Sequence, residues 1–341
     1  MSFVLSDEEL QIREAVAGIA SGFGRAYIQR CVEAGEPPTE LWDALAEKGY
    51  VGVNIPEAYG GGGRGMTELA AVMEELARAG CPLLLMVVSP AIAGSVLARH
   101  GTQEQKERWL RGIGTGDLKI AFAITEPDAG TNTHNLATRA ERRNGSYVLT
   151  GQKTFISGVE DADALFVVAR TGVNESDPGR PRGLLSLFIV DVDAPGLDRS
   201  VVPTAARGAD KQWTLFFDGV EVPADRLVGT EHHGLATVFD GLNPERIMTA
   251  ANAAGLARRA LAQASEYARD RTVWSAPIGT HQAISHPLAQ AKIELELATL
   301  MTRKACWLYD QGAKGAGEAS NMAKYAAAEA AIHAVDAAIQ T

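Results

Sequence analysis

The hydrophobic period changes twice along these 341 residues, and that double change limits the architectures open to the chain. Up to about residue 119 the pattern is helical, punctuated by caps: Thr39 to Lys48 stops at Gly49, Thr67 to Ala79 stops at Gly80, and Thr102 with Gln105 opens a helix ending near Gly112. From about 120 to 230 short runs rich in Val, Leu and Phe take over, at Ala164 to Ala169, Leu184 to Val190 and Trp213 to Val222. Between Arg139 and Thr150 lies Asn144-Gly145, a pair that accepts the positive φ values of a type I′ hairpin turn. After about 234 helical spacing returns in Ile247, Ala250, Ala254, Ala257, Leu261 and Ala264, and again from Ile284 to Leu308. The pattern predicts a multidomain α+β protein: an N-terminal α-helical domain (1–119), a central β-barrel or sandwich (120–233) and a C-terminal α-helical bundle (234–341). The segment from Gly172 to Gly183, with Pro178 and Pro181, is expected to be a mobile insertion.

Composition removes several function classes. A formal net charge of -10 argues against nucleic acid, whose phosphates demand clustered Lys and Arg. Cys31, Cys81 and Cys306 are far apart, so neither a disulfide framework nor a zinc site is indicated. His232-His233 and His281 with His286 lack metal-ligand spacing, and no metal is expected. The start reads as a helix entry, with Ser6 as cap, Glu9 as capping-box partner and Leu5 with Leu10 as a staple, rather than as a targeting segment. The most apolar run, Cys81 to Ala98, is broken by Pro82 and Ser89-Pro90, which suits a buried helix and no membrane span. The expectation is a soluble, cytoplasmic protein.

Two runs carry chemistry. In Phe122-Ala-Ile-Thr-Glu-Pro-Asp-Ala-Gly-Thr131 an apolar stretch ends in a hydroxyl residue, and Pro127 and Gly130 then break the chain and free backbone N–H groups for an anion. Gly151-Gln-Lys-Thr-Phe-Ile-Ser-Gly158 offers the flat ring of Phe155 and the hydroxyl of Ser157. A ring-shaped cofactor bearing phosphate suits such a pair. The run Gly60 to Gly65 satisfies G-x-G-x-x-G, yet Val51 to Ile55 is a poor strand and no second βαβ unit follows, so it reads as a turn. In Gly241-Leu-Asn-Pro-Glu-Arg246, Asn243 reads as a cap and Pro244 as first-turn proline. None of the neighbours of Glu245 three or four positions away (Gly241, Leu242, Met248, Thr249) is basic, so a salt bridge within the helix does not explain it.

These two runs, in helix–strand–helix order, resemble the acyl-CoA dehydrogenase family. The resemblance implies FAD as cofactor. It places Phe122, Ile124 and Thr125 at the isoalloxazine edge, Gly130 and Thr131 near the pyrophosphate or substrate, and Phe155, Ile156 and Ser157 beside the ring. Most members take the base that removes the α-proton from a Glu-Gly-Thr motif, which this chain lacks. The isovaleryl and long-chain branches carry it in a context similar to Leu242 to Arg246, which puts the base on Glu245 and assigns Asn243 and Arg246 to the CoA portion. Arg271, Val273, Trp274, His281 and Gln282 resemble elements that reach the ADP half of a flavin, with Val273 where Thr is usual, and Gln340 matches a residue near the adenine.

The activity implied is dehydrogenation of an acyl-CoA to the trans-2-enoyl-CoA by a homo-oligomer (dimer or tetramer), with an electron-transferring flavoprotein as acceptor. An acyl-CoA oxidase, a flavin monooxygenase of the same fold and a non-catalytic partner subunit are the other readings. The family pattern continues past Thr341, so the C-terminal bundle is expected to be truncated.

Overall fold

A computed structural model describes residues 4–174, 182–205 and 208–341. Of the expected mobile insertion, residues 175–181 lie outside the described ones. The chain divides into two compact units: Met1–Gln29, Arg64–Leu83 and Asn243–Thr341 form the first, Arg30–Gly63 and Leu84–Leu242 the second.

The second unit is built on an eight-stranded sheet of β1 (Ile120–Ala123), β2 (Arg139–Arg143), β3 (Ser146–Ser157), β4 (Ala164–Asn174), β5 (Arg182–Asp191), β6 (Leu197–Val202), β7 (Gln212–Pro223) and β8 (Leu227–Val228). The strand order is β6-β7-β3-β2-β4-β5-β8, with β1 parallel to β4. β2 and β3 are the hairpin expected from Asn144-Gly145, whose φ values are 48° and 87°. Successive residues of a strand point to opposite faces. Phe166 and Val168 of β4 pack into a core with Leu185, Leu187 and the helical residues Val96, Leu97 and Trp109. Leu165, Val167 and Ala169 pack into the other core, with Tyr147, Leu149, Phe188 and Leu215. Burial on both faces is why Ala164 to Ala169 is continuously apolar.

The Cys81 to Ala98 run supplies a helix, as expected, whose middle (Val87–Gly94) widens to π-type turns around Pro90. The Gly60 to Gly65 run follows no strand. A Cβ on Gly61 would sit 2.2 Å from the Ile55 carbonyl oxygen, so close backbone packing accounts for that glycine. Among the described residues no helix is long and apolar enough to cross a membrane, and no group of His, Cys, Asp and Glu is arranged to hold a metal.

The first unit is helical: Asp7–Ser21, Met66–Ala79, the part of Gly234–Asp270 from Asn243 onward, Gln282–Asp310 and Ala316–Gln340. Small side chains let the long helices approach closely, with Ala254, Ala257, Ala291 and Ala334 buried around Leu261 and Leu295. Gly65 has no side chain with which to cap Met66–Ala79, and Asp310 does this instead, accepting from Met66 N at 2.7 Å and Thr67 N at 3.2 Å. Ser6 caps Asp7–Ser21 as expected, accepting from Glu9 N at 3.1 Å. The Glu9 carboxylate does not close the capping box, because it is drawn into a buried charge network. Glu9, Glu74 and Glu75 are all buried, and Arg13 bonds all three, at 3.2, 2.9 and 3.0 Å. Arg303 adds a second cation to Glu9 at 2.8 Å, and Arg258 one to Glu74.

Removing one partner from such a network strands a buried charge, at a cost of about 3 kcal/mol or more. Arg13→Ala should therefore lower the thermal midpoint by roughly 5 °C, whereas Lys48→Ala, which breaks an exposed pair with Glu47, should leave it in place. Circular-dichroism melts of the two variants check this.

Candidate functional site

In the second unit, two of the runs singled out above meet. β1 ends at Ala123, and the chain then makes a tight turn around Pro127 and Asp128, with Glu126 and Ala129 exchanging backbone hydrogen bonds at 3.1 and 3.2 Å. Thr154 N donates to the Thr125 carbonyl at 2.9 Å. Lys153 Nζ donates to the Ile124 carbonyl at 2.9 Å and to Glu126 Oε1 at 2.8 Å, from a position with 0% exposure. Glu126 in turn accepts from Ala137 N at 2.6 Å and Thr138 N at 3.1 Å. Burial pushes the Lys153 ammonium down to about 8, against the pull of Glu126. Burial also works to raise Glu126, but the Lys153 charge and its hydrogen bonds outweigh that and hold it below the usual carboxylate range. The pair is ionised at neutral pH.

The same clamp leaves groups facing outward. Among the described residues Thr125 has a partner only at its carbonyl, so its N–H and hydroxyl are available. The β3–β7 ladder is interrupted between Lys153 and Ile156, and there Phe155 takes a positive φ of 56° and is 61% exposed. A non-glycine residue held in that conformation persists only where its surroundings over-determine it. Gly130 and Thr131 are exposed, and a Cβ on Gly130 would meet nothing within 4 Å. Phe122 and Ile124 are half-buried against the helix-packed core. Ile156 lies in the opposite core at 2% exposure, so any part it takes at a cofactor is through its backbone. The Ser157 hydroxyl is shared with Gln212, at 2.8 and 3.1 Å.

The other predicted residues fall in the first unit. Asn243 is not a helix cap and Pro244 is not a first-turn proline, because the helix already runs from Gly234 to Asp270 through both. Upstream packing holds it: Val238 is buried, and a Cβ on Gly241 would sit 2.8 Å from Ile92 Cγ2. Arg246 donates to Asn243 Oδ1 at 3.1 Å. Glu245 is half-buried, and its bonded side-chain partner is the hydroxyl of Thr249, at 3.2 Å. Burial raises its pKa above the ordinary carboxylate value, opposed by the Thr249 hydroxyl and the more distant charges of Arg246 and Lys324.

Exposed Arg271 directly precedes an exposed two-stranded hairpin that carries Val273 and whose turn holds Trp274, 89% exposed at φ 58°. The His281 ring stands edge-on to Trp274 at 5.6 Å, and its Nε2 is buried without a hydrogen-bond partner. Gln282 is exposed at the start of Gln282–Asp310, and Gln340 shares a cavity of about 350 Å³ with Ala283, Ile284, Pro287, Gln290 and His333.

These features fit FAD. The second unit offers an exposed Phe155 and a free N–H and hydroxyl at Thr125 that suit a planar heterocycle; taken by itself, the first holds an unsatisfied buried nitrogen at His281 and an exposed indole at Trp274. Sequence reasoning overlooked Lys153 and Glu126, although both stand inside the quoted runs. The available signal was the lone cation of the second run and an anion in the first, in two segments expected to share one cofactor.

Comparison with known proteins supplies the family. Residues 6–117, 121–220 and 232–341 match the acyl-CoA dehydrogenase N-terminal, middle and C-terminal domains. Acyl-CoA dehydrogenase FadE12 of Mycobacterium tuberculosis (strain ATCC 25618 / H37Rv) is 50% identical over 341 residues, 100% of this chain and 87% of the relative. The structure of a glutaryl-coenzyme A dehydrogenase with glutaryl-CoA superposes with a TM-score of 0.92 at 30% identity, covering 100% of this chain and 86% of that one. PigA with FAD and proline gives 0.91 at 28%, covering 100% and 88%. The chain belongs to the acyl-CoA dehydrogenase family, FAD-dependent oxidoreductases that dehydrogenate acyl-CoA thioesters.

Proposed function

We propose that this enzyme removes the α-proton of an acyl-CoA thioester with Glu245 and releases the trans-2-enoyl-CoA. When bound, FAD supplies the acceptor for the β-hydride. One observation carries the reading: Glu245 is a half-buried carboxylate whose bonded side-chain partner is a neutral hydroxyl, not a cation. A carboxylate so placed is raised toward neutrality and can take and hold a proton, which an ion-paired one does poorly. Thr249 fixes its orientation, its hydroxyl bridging the Glu245 carbonyl at 2.8 Å and Oε1 at 3.2 Å. Asn243 and Arg246, bonded to each other, are assigned to the CoA portion.

Thr125 is assigned to the isoalloxazine edge, where its N–H and hydroxyl favour the negative charge that arrives with hydride. Phe122, Ile124, Gly130, Thr131, Phe155, Ile156 (by backbone) and Ser157 complete that part, with Thr131 also reaching toward substrate. Arg271, Val273, Trp274, His281, Gln282 and Gln340 are assigned to the nucleotide half. The enzyme works as a homo-oligomer and passes electrons to an electron-transferring flavoprotein. Its functional domains are 1–119, 120–233 and 234–341. Three buried free cysteines suit a reducing compartment, and the cytoplasm is the location proposed.

Two outcomes test this. Glu245→Gln should keep the yellow flavin but reduce it with acyl-CoA at least about 100-fold more slowly in anaerobic stopped flow; unchanged reduction removes Glu245 as base. The pH profile supplies the second. A base must be deprotonated, so reduction should rise with pH through the raised Glu245 value and level off above it. Thr249→Val deletes a bond that favours the charged form, and should move that rising limb to higher pH without abolishing it.

A further inference from the structure

We propose that Lys153 is the positioning residue of the flavin edge, acting through the Ile124–Thr125 peptide. The Ile124 carbonyl that Lys153 Nζ bonds at 2.9 Å belongs to the same planar unit as the Thr125 N–H. A cation donating to that oxygen draws electron density out of the peptide and makes its N–H a stronger donor, the way hydrogen bonds in series reinforce one another. That N–H is the one without a partner among the described residues. The inference rests on the reading that Thr125 faces the flavin.

The surroundings fit this task better than simple space filling. Two successive residues of β3 hold Thr125 from both sides: Lys153 fixes the carbonyl before it, and Thr154 N bonds its own carbonyl at 2.9 Å. Lys153 has 0% exposure, and burying an ammonium is costly where an apolar side chain of like length would fill the space. Glu126 offsets part of that cost and aims the ammonium, and is itself held by Ala137 N and Thr138 N. The result is a charge of fixed direction behind a single peptide group. Reduced flavin carries more negative charge at its ring edge than oxidised flavin, so a strengthened donor stabilises the reduced form selectively.

The test uses the FAD-loaded enzyme without substrate, titrated anaerobically against redox dyes. In Lys153→Met, shown to be folded by circular dichroism and loaded by its absorbance, the preference for reduced over oxidised flavin should fall about tenfold, a drop of about 30 mV in the two-electron midpoint potential. The visible flavin band should shift with it. Glu126→Asp keeps both charges but draws the ammonium back from the carbonyl, and should fall in the same direction by about threefold, or about 15 mV. It also decides the matter if the Met variant does not fold. Either variant, folded and loaded, with wild-type potential and spectrum overturns the role of Lys153. A wild-type protein that binds no FAD overturns this proposal together with the flavin reading beneath it.

Discussion

The ion pair of Lys153 and Glu126 is the constraint on which the geometry of residues 124–126 and Phe155 depends. A lysine with 0% exposure requires a counter-charge and further hydrogen-bond acceptors, because an unpaired buried cation is too costly to keep. Glu126 and the Ile124 carbonyl meet that requirement, and both belong to the loop after β1. Satisfying one buried charge therefore dictates where residues 124–126 must lie relative to β3. Once they lie there, Thr154 can bond Thr125, the β3–β7 ladder is broken beyond Lys153, and Phe155 is turned outward. The strain of Phe155 at positive φ is held by these bonds on its N-terminal side and by the burial of Ile156 on the other.

The first unit handles charge in a contrasting way. Glu9, Glu74 and Glu75 are buried and bonded to arginines, an arrangement that ties the N-terminal helix to the helices bearing Arg258 and Arg303. Glu245 is spared such a partner. Arg246 is its sequence neighbour, but adjacent helical residues point about 100° apart, and Arg246 bonds Asn243 instead. In the first set each carboxylate is bonded to arginine. At Glu245 the partner is a hydroxyl, and the carboxylate stays available to a proton.

Features set by local chemistry were legible in the sequence. Asn144-Gly145 predicted its hairpin because few residue pairs accept two positive φ values, and Thr102 with Gln105 predicted a helix start, which a capping box with bonds of 3.2 and 3.1 Å makes. Features set by distant partners were not. β6 escaped notice because an exposed edge strand has no apolar alternation, and Leu197–Val202 is exposed along most of its length. Glu9 looked like a capping residue, and nothing nearby in sequence announces Arg303 as its partner. Pro244 looked like a helix start because proline normally ends the helix before it, whereas packing of Val238 and Gly241 keeps the preceding turns helical.

The sequence by itself determined the order of helices and strands, the turn residues of the runs 122–131 and 151–158, and the absence of a basic helical neighbour for Glu245. Each depends on spacing, turn propensity or residue type within a few positions. Tertiary structure alone decided that Lys153 and Glu126 are one buried pair, that Phe155 is exposed and Ile156 is not, and that Thr249 rather than a cation bonds the Glu245 carboxylate. Those outcomes depend on desolvation and on contacts between separate segments, and a side chain's neighbours across space leave no periodicity in the chain.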